Sequence, residues 1–339
     1  MNGRLGVSVA LGTYNGAAFL EEQLASLANQ SLLPTELVIS DDASSDSTIQ
    51  IIHQFARDAP FPVKLTRHAV NLGVVANFNA AFGECSSEFV APCDQDDTWE
   101  RDKLEVLVRE LEENPGAAGA LGDARLIGAQ GEPVEGTVWE RVGFTSDERS
   151  RLQEGDTRPL LRGNVVSGAR LVFRRQYLDL ILPMSTQLYP DYWMAMLMQV
   201  VAGLIYVNRI LQTYRVHGNN LVGLSLDGKP NWRDGKNGYH RFSVELVERL
   251  EARGVELPPA SQALLQDWVA HNQFRASLPR NVALRTAKVL GAARRGDYRL
   301  AIRTRAPSRH YTPGPLSLLT DNWLYRRGTM NWMIDVLLG

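Results

Sequence analysis

Four short apolar runs, each followed by an amphipathic stretch, fill residues 7–111, and this alternation constrains the fold more than any other feature of the chain. Val7-Ser8-Val9-Ala10-Leu11 alternates with a period of two, and Leu20, Leu24 and Leu27 then share one helical face. Leu37-Val38-Ile39 is a second strand, with a helix through Ile51, Ile52 and Phe55 behind it. Val63-Lys64-Leu65 is a third, followed by Val74, Phe78 and Ala81 at helical spacing. Phe89-Val90-Ala91 is a fourth, and Leu104, Leu107, Val108 and Leu111 mark the helix after it. Consecutive strand–helix units predict an α/β chain with a Rossmann-like, mainly parallel sheet flanked by helices. Beyond Gly116 the pattern loosens. Strands are expected at Ala117–Leu121, Arg125–Ile127, Ala169–Phe173, Leu204–Val207 and Leu211–Val216, with a helix from Asp191 to Val201. Helices over 242–250, 260–274 and 282–293 follow a loop-like stretch, which places a domain boundary near 223–238 and divides the chain into 1–222 and 223–339.

Sheets of this kind bind ligands past the carboxyl ends of their strands. Three short polar segments lie there: Thr13-Tyr14-Asn15-Gly16, Asp41-Asp42-Ala43-Ser44 and Asp94-Gln95-Asp96-Asp97. Residues two apart in an extended segment point the same way, so Asp94 and Asp96 can face one ligand. Two carboxylates repel a diphosphate unless a divalent cation sits between, and Mg2+ and Mn2+ favour such shared oxygen sites. An isolated Asp-x-Asp is ordinarily a solvated loop; its place after the fourth strand gives this one weight. Asp41 and Asp42 occupy the matching place after the second strand. Either can accept a hydrogen bond from the imide N–H of a pyrimidine base, the bland alternative being a helix cap, which Ser44, Ser45 or Asp46 could also fill.

The stretch from Val7 to Thr48 resembles the opening of glycosyltransferase family 2. Asn71-Leu72-Gly73, Asn77-Phe78-Asn79 and Cys93-Asp94-Gln95-Asp96-Asp97-Thr98-Trp99 with Lys103-Leu104-Glu105 continue the resemblance, which runs over residues 5–222. It is nearest to bacterial rhamnosyltransferase-like members that build surface polysaccharides. The resemblance implies the GT-A fold and an inverting transfer from a nucleotide-diphosphate sugar, a dTDP or UDP sugar being favoured, to a glycan or lipid-linked glycan. It places Thr13, Tyr14, Asn15, Asn71 and Asp94 at the nucleotide, Asp41 or Asp42 at the base, and Mn2+ or Mg2+ on Asp96 with Asp94.

Two later segments extend the resemblance. Asn164-Val165-Val166-Ser167-Gly168 matches the acceptor-side segment, so Ser167 and Gly168, with Trp193, are expected to face the acceptor. Tyr189-Pro190-Asp191-Tyr192-Trp193 opens the helix that presents the general base, and Asp191 stands where that carboxylate belongs. Many relatives have His where this chain has Pro190, and a helix cap is the structural alternative for Asp191. In Tyr214-Arg215-Val216-His217-Gly218-Asn219-Asn220, the resemblance brings His217 to the diphosphate or its metal, with Arg215 available to offset phosphate charge.

Composition narrows the setting. Two cysteines, Cys85 and Cys93, rule out a disulfide framework and suggest a reducing compartment. The first residues lack the apolar core of a signal peptide, and no run approaches a membrane span, so a cytoplasmic location is expected. From Asn272 onward twelve Lys/Arg stand against three Asp. Arg285, Lys288, Arg294, Arg295, Arg299, Arg303 and Arg305, with Trp323, Tyr325, Trp332 and Met333, suit an anionic membrane surface. Core packing or a dimer contact explains the aromatics equally well, and the oligomeric state stays open. A sugar nucleotidyltransferase would want a Gly-rich phosphate loop after the first strand, and a dehydrogenase G-x-G-x-x-G; neither is present. No nucleic-acid partner is expected. A catalytically inactive scaffold is the non-enzymatic alternative, against which the joint presence of Asp94, Asp96, Asp191 and His217 argues.

Overall fold

The computed structural model describes residues 6–161, 163–217 and 235–279, together with 284, 287–289 and 291–292. Strands β1 (Val7–Thr13), β2 (Glu36–Asp41), β3 (Val63–Arg67) and β4 (Phe89–Cys93) are parallel, in the order β3-β2-β1-β4. Helices α1 (Leu20–Ala28), α2 (Thr48–Asp58), α3 (Val74–Gly83) and α4 (Lys103–Glu113) alternate with them. The strand alternation divides the core in two. Val9, Leu11, Leu37, Ile39, Phe89 and Ala91 face one layer with α1 and α4, whereas Ala10, Val38 and Val90 face the other with Ala81 and Phe82 of α3. Every residue of β2 and β4 is buried, as expected of strands covered on both faces. On α3 the buried residues are Asn77, Ala81 and Phe82; Ala81 belongs to the expected stripe, and Phe78 packs half-buried against the same core.

The chain leaves β1 for β2 and β3 on one side and returns to β4 on the other. The order reverses at β1 and β4, which opens a crevice at their carboxyl ends. The sheet continues through β8 (Leu171–Arg174), β6 (Gly119–Ile127), β9 (Leu204–Arg215) and β5 (Thr98–Trp99), with β7 (Pro133–Thr137) on β6. These later pairings are antiparallel except β6 with β9, so the sheet is mixed. Two expected strand pairs are single strands. Arg125–Ile127 continues β6, and the exposed Asn208 and Arg209 that interrupt the apolar pattern of β9 sit at a bulge against Gly122 and Asp123.

Between β7 and β8 come α5 (Val138–Arg141), α6 (Ser146–Gln153) and α7 (Arg158–Leu161), and α8 (Leu178–Ile181) and α9 (Pro190–Val201) follow β8. Helices α10 (Gly235–Ala252) and α11 (Pro259–Ala276) pack chiefly on the main core, and a small separate cluster gathers Phe274, Leu278 and Val289. Phe242, Leu246, Leu250, Leu265 and Trp268 join the core that contains Tyr192 to Met198 of α9, and the Tyr192 and Phe242 rings stack at 4.9 Å. Among the described residues no helix is long and apolar enough to cross a membrane. Asn219, Asn220, most of the 223–238 boundary region and, apart from Lys288, the named basic and aromatic residues of the tail lie outside the described residues.

Candidate active site

Three loops converge at the crevice, and hydrogen bonds between them fix their spacing. Gln95 reaches from the β4 loop to the β1 loop, where its Oε1 accepts the Tyr14 N–H at 2.9 Å and its Nε2 donates to the Tyr14 carbonyl at 3.0 Å. That pair copies a strand's own bonding pattern and leaves the Tyr14 ring exposed. Asn15, with a φ of +47°, accepts the Ser45 N–H at 2.9 Å, and its own N–H donates to Ser44 Oγ at 2.9 Å. Asp46, one residue before the N-cap Ser47, accepts the first α2 amide, Thr48 N–H, at 3.0 Å and ties in the β1 loop by accepting the Ala17 N–H at 3.1 Å.

The paired aspartates are therefore free of that duty and differ from one another. Asp41 is wholly buried and accepts from Thr13 Oγ1 at 2.8 Å, Ser44 N at 2.9 Å and Ser44 Oγ at 2.5 Å, with Arg67 at 3.9 Å. It locks the end of β1 to the loop after β2. Asp42 takes the Leu72 N–H at 2.6 Å and the Gly73 N–H at 2.9 Å, which spends two of the roughly four accepting positions of a carboxylate. Asn71 is exposed beside it, its Nδ2 3.4 Å from the Asp42 carbonyl.

The acidic loop after β4 is the electrostatic centre. Burial, with the charges of Asp96 and Asp191 nearby, pushes Asp94 up to about 7. His217 Nε2 lies 2.9 Å from Asp96 Oδ2, and the imidazole stacks on Phe19 at 4.9 Å. Asp97 is buried beneath them, accepts from Gln212 Nε2 at 2.9 Å and from the Arg215 N–H at 3.1 Å, and is driven upward in pKa by burial and by Asp96 and Asp94. Among the described residues no group of three or more His, Cys, Asp or Glu side chains stands in a metal-holding cluster. Asp96 and His217 are a ready pair, and a cation shared with a diphosphate needs only one or two protein carboxylates. The residues present fit such an ion.

Asp191 stands in the first turn of α9, near enough for its charge to act on Asp94. Its Oδ1 accepts from Asn164 Nδ2 at 2.9 Å and from the Tyr192 N–H at 2.8 Å. Burial pushes its carboxyl up to about 6 against those two bonds. Tyr189 holds the cap position, so Asp191 is no helix cap. Gly168 packs directly on it, since a Cβ there would lie 3.4 Å from Asp191 Cβ, and Ser167 is half-buried alongside.

Two expected positions are corrected. Trp193 is fully buried, donates from Nε1 to the Ile181 carbonyl at 2.9 Å and packs edge-on against Phe242; it faces the core, away from any acceptor. Arg215 is also buried, its guanidinium bonded to Glu22 at 2.6 Å and to the Asp96 carbonyl at 2.9 Å. It braces the acidic loop through the Asp96 carbonyl, and Glu22 takes the other end of the guanidinium. Four residues have roles that went unread in the sequence: Gln95 as a bridge, Asn164 as the partner of Asp191, and Lys103 and Gln212 beneath the loop. Each acts through a partner remote in sequence, and only Gln95, placed between two aspartates, carried a local hint.

The arrangement matches a known family. The model of glycosyl transferase family 2 matches residues 8–176, which hold the β1, β2 and β4 loops and Asn164 to Gly168. The chain belongs to glycosyl transferase family 2. An uncharacterised glycosyltransferase of Nostoc sp. is 27% identical over 222 residues, covering 63% of this chain and 66% of that one, so this family 2 chain spans just under two thirds of that curated relative. Among solved structures, Staphylococcus aureus TarS with UDP-GlcNAc superposes with a TM-score of 0.54 at 18% identity, over 88% of this chain and 90% of that one. The mannosyltransferase PcManGT of Pyrobaculum calidifontis, with GDP-Man and Mn2+, gives 0.54 at 19% identity over 99% and 87%. Those superpositions, at under 25% identity, show a GT-A-like fold and nothing finer.

Proposed function

We propose that this family 2 chain moves a sugar from a nucleoside diphosphate to a glycan acceptor with inversion at the sugar's anomeric carbon. The observation that carries the reading is the convergence of two acidic groups on one crevice: Asp94 and Asp96 with His217 after β4, and Asp191, backed by Asn164, at the head of α9. Asp191 with a pKa near 6 is a carboxylate at neutral pH, yet basic enough to take a proton. It removes the acceptor hydroxyl's proton as that oxygen attacks the anomeric carbon. The bond from that carbon to the diphosphate oxygen breaks, and the diphosphate leaves with the electron pair.

Asp42, with accepting capacity left, is the base-contacting member of its pair, and Asp41 sets the loop that presents it. Thr13, Tyr14, Asn15 and Asn71 surround the nucleoside; Ser167 and Gly168 border the acceptor. Mn2+ or Mg2+, held by Asp96 with Asp94 and His217, would offset the charge that develops on the departing diphosphate. The Mn2+ in PcManGT supports that choice, and the nucleotide sugars in TarS and PcManGT support the donor class. A dTDP or UDP sugar, rhamnose included, and a surface polysaccharide acceptor follow from the sequence resemblance. The basic tail suggests work at the inner face of the membrane, where lipid-linked acceptors are held.

Replacing Asp191 by Asn keeps the side chain's shape and removes its basicity. Transfer should fall at least ~1,000-fold while nucleoside diphosphate binding is unchanged. If transfer survives in Asp191→Asn, the general base lies elsewhere.

A further inference from the structure

Beneath the acidic loop lies a fully buried lysine that the reaction scheme does not use. Lys103 Nζ donates to the Ala169 carbonyl at 2.5 Å and to Gln212 Oε1 at 2.7 Å, and sits 3.6 Å from the centre of the Trp99 ring. Two neutral oxygens and an aromatic face thus receive the Lys103 amine, and among the described residues no carboxylate bonds it directly. Burying a charge this way is unfavourable, and a methionine would pack against Trp99 as well. Burial pushes the Lys103 amine down to about 7 even with the buried Asp97 and Asp94 nearby to favour its charge, so the core gains little from a cation here.

What Lys103 joins supplies the reason. Ala169 follows Gly168, the residue packed on Asp191. Gln212, oriented by Lys103 at its oxygen, donates from Nε2 to Asp97 at 2.9 Å. Asp97 accepts the Arg215 N–H at 3.1 Å, and Arg215 Nε holds the Asp96 carbonyl at 2.9 Å. His217, two residues on, meets the Asp96 carboxylate at 2.9 Å. The chain of bonds therefore runs unbroken from the acceptor-side segment to the pair assigned to the diphosphate's metal. We propose that Lys103 is a positioning residue that holds the Gly168–Ala169 segment at a fixed distance from the Asp96–His217 pair. It thereby sets the separation between Asp191 and the sugar's leaving group.

The proposal rests on the transferase reading for its catalytic consequence, but its structural half stands alone, and the test separates them. In the full chain with Lys103→Met, amide hydrogen exchange should quicken at residues 168–172 and at 214–217 together, with β1 and β2 unchanged. Faster exchange at only one of these segments, or at neither, overturns the coupling. The second arm uses hydrolysis of UDP-glucose, UDP-GlcNAc, dTDP-rhamnose and GDP-mannose with Mn2+, taking whichever donor the wild type turns over. Displacing reacting groups by about 1 Å costs on the order of 100-fold, so kcat should fall by that factor while donor KM and the stoichiometry of nucleoside diphosphate binding hold. A parallel fall in binding stoichiometry marks Lys103 as merely structural and overturns the positioning role. If the wild type hydrolyses none of the donors, the transferase reading is at fault, and the exchange experiment still decides the coupling.

Discussion

The bridge made by Gln95 leads to a prediction about its smallest neighbour. A Cβ added at Gly16 would press on Gln95 Oε1 and come within 2.5 Å of Cδ and 3.2 Å of Cγ. Gly16 is not among the glycines with positive φ, so alanine is compatible with its backbone and the conflict is with Gln95 alone. Gly16→Ala should expel the Gln95 side chain and break both of its bonds to Tyr14. Each such bond contributes about 1 kcal/mol, or less where water competes, so the loop pairing loses roughly 1–2 kcal/mol. At 1.4 kcal/mol per tenfold, Kd for the bound nucleoside diphosphate should rise by roughly 5- to 30-fold. Gln95→Ala removes the same bonds and should cost the same. In the double variant the new methyl has room, so Gly16→Ala should add almost nothing to Gln95→Ala, a coupling of about 1 kcal/mol or more. Titration calorimetry with whichever of UDP, dTDP and GDP the wild type binds, in Mn2+, measures all four corners. Additive losses would refute the reasoning, because they would place the effect of Gly16 somewhere other than Gln95.

Further outcomes concern pH. Asp191 acts as a base only when ionised, so kcat/KM should be level above its pKa of about 6 and fall tenfold per unit below it; an acid limb near 4, the ordinary carboxylate range, would contradict the assigned environment. At the far end of the sheet, Glu36 is held down to about 2 against burial by bonds from Lys64, Ser8 and Ser86. Its folded pKa is depressed, so the stabilisation is fully present above about 4.5 and lost as pH falls toward 2. Glu36→Gln should lower stability by about 1–3 kcal/mol at pH 7 and flatten the denaturant midpoint between pH 4.5 and 2; a midpoint that follows pH as steeply as the wild type would assign the dependence to other groups.

The parallel half of the sheet was legible because β1, β2 and β4 each carry a short apolar run, Val7 to Leu11, Leu37 to Ile39 and Phe89 to Ala91, with an amphipathic helix after it. The later half was harder. Thr98–Trp99 is too short to alternate, and Pro133–Thr137 mixes Pro, Glu and Gly in an edge strand. Helices α5 and α6 went unread although Thr137 with Glu140 and Thr145 with Glu148 are capping boxes at the S/T-x-x-E spacing. Trp193 was readable too, since α9 has almost no polar face and a helix apolar all round is buried.

Of the site, the aspartates could be read because strand ends place them. Their division could not, because Asp41 and Asp42 differ only in which distant groups reach them: Thr13 and Ser44 for one, Leu72 and Gly73 for the other. The same holds for Lys103 and Arg215, whose cations look surface-bound in a linear text. Their burial depends on Ala169, Gln212 and Glu22, brought to them by the order of the strands.

The central claim is that one crevice holds a nucleoside diphosphate through a metal at Asp96 and acts on it through Asp191. Thermal unfolding with UDP, dTDP and GDP, each with and without Mn2+, tests it in three proteins: wild type, Asp96→Asn and Asp191→Asn. A ligand at 100 times its Kd stabilises the native state by about 2.7 kcal/mol, a readily measured shift. The account predicts a Mn2+-dependent shift with at least one diphosphate, retained in Asp191→Asn and lost in Asp96→Asn. No shift with any of the three, or one indifferent to both Mn2+ and Asp96, would contradict it.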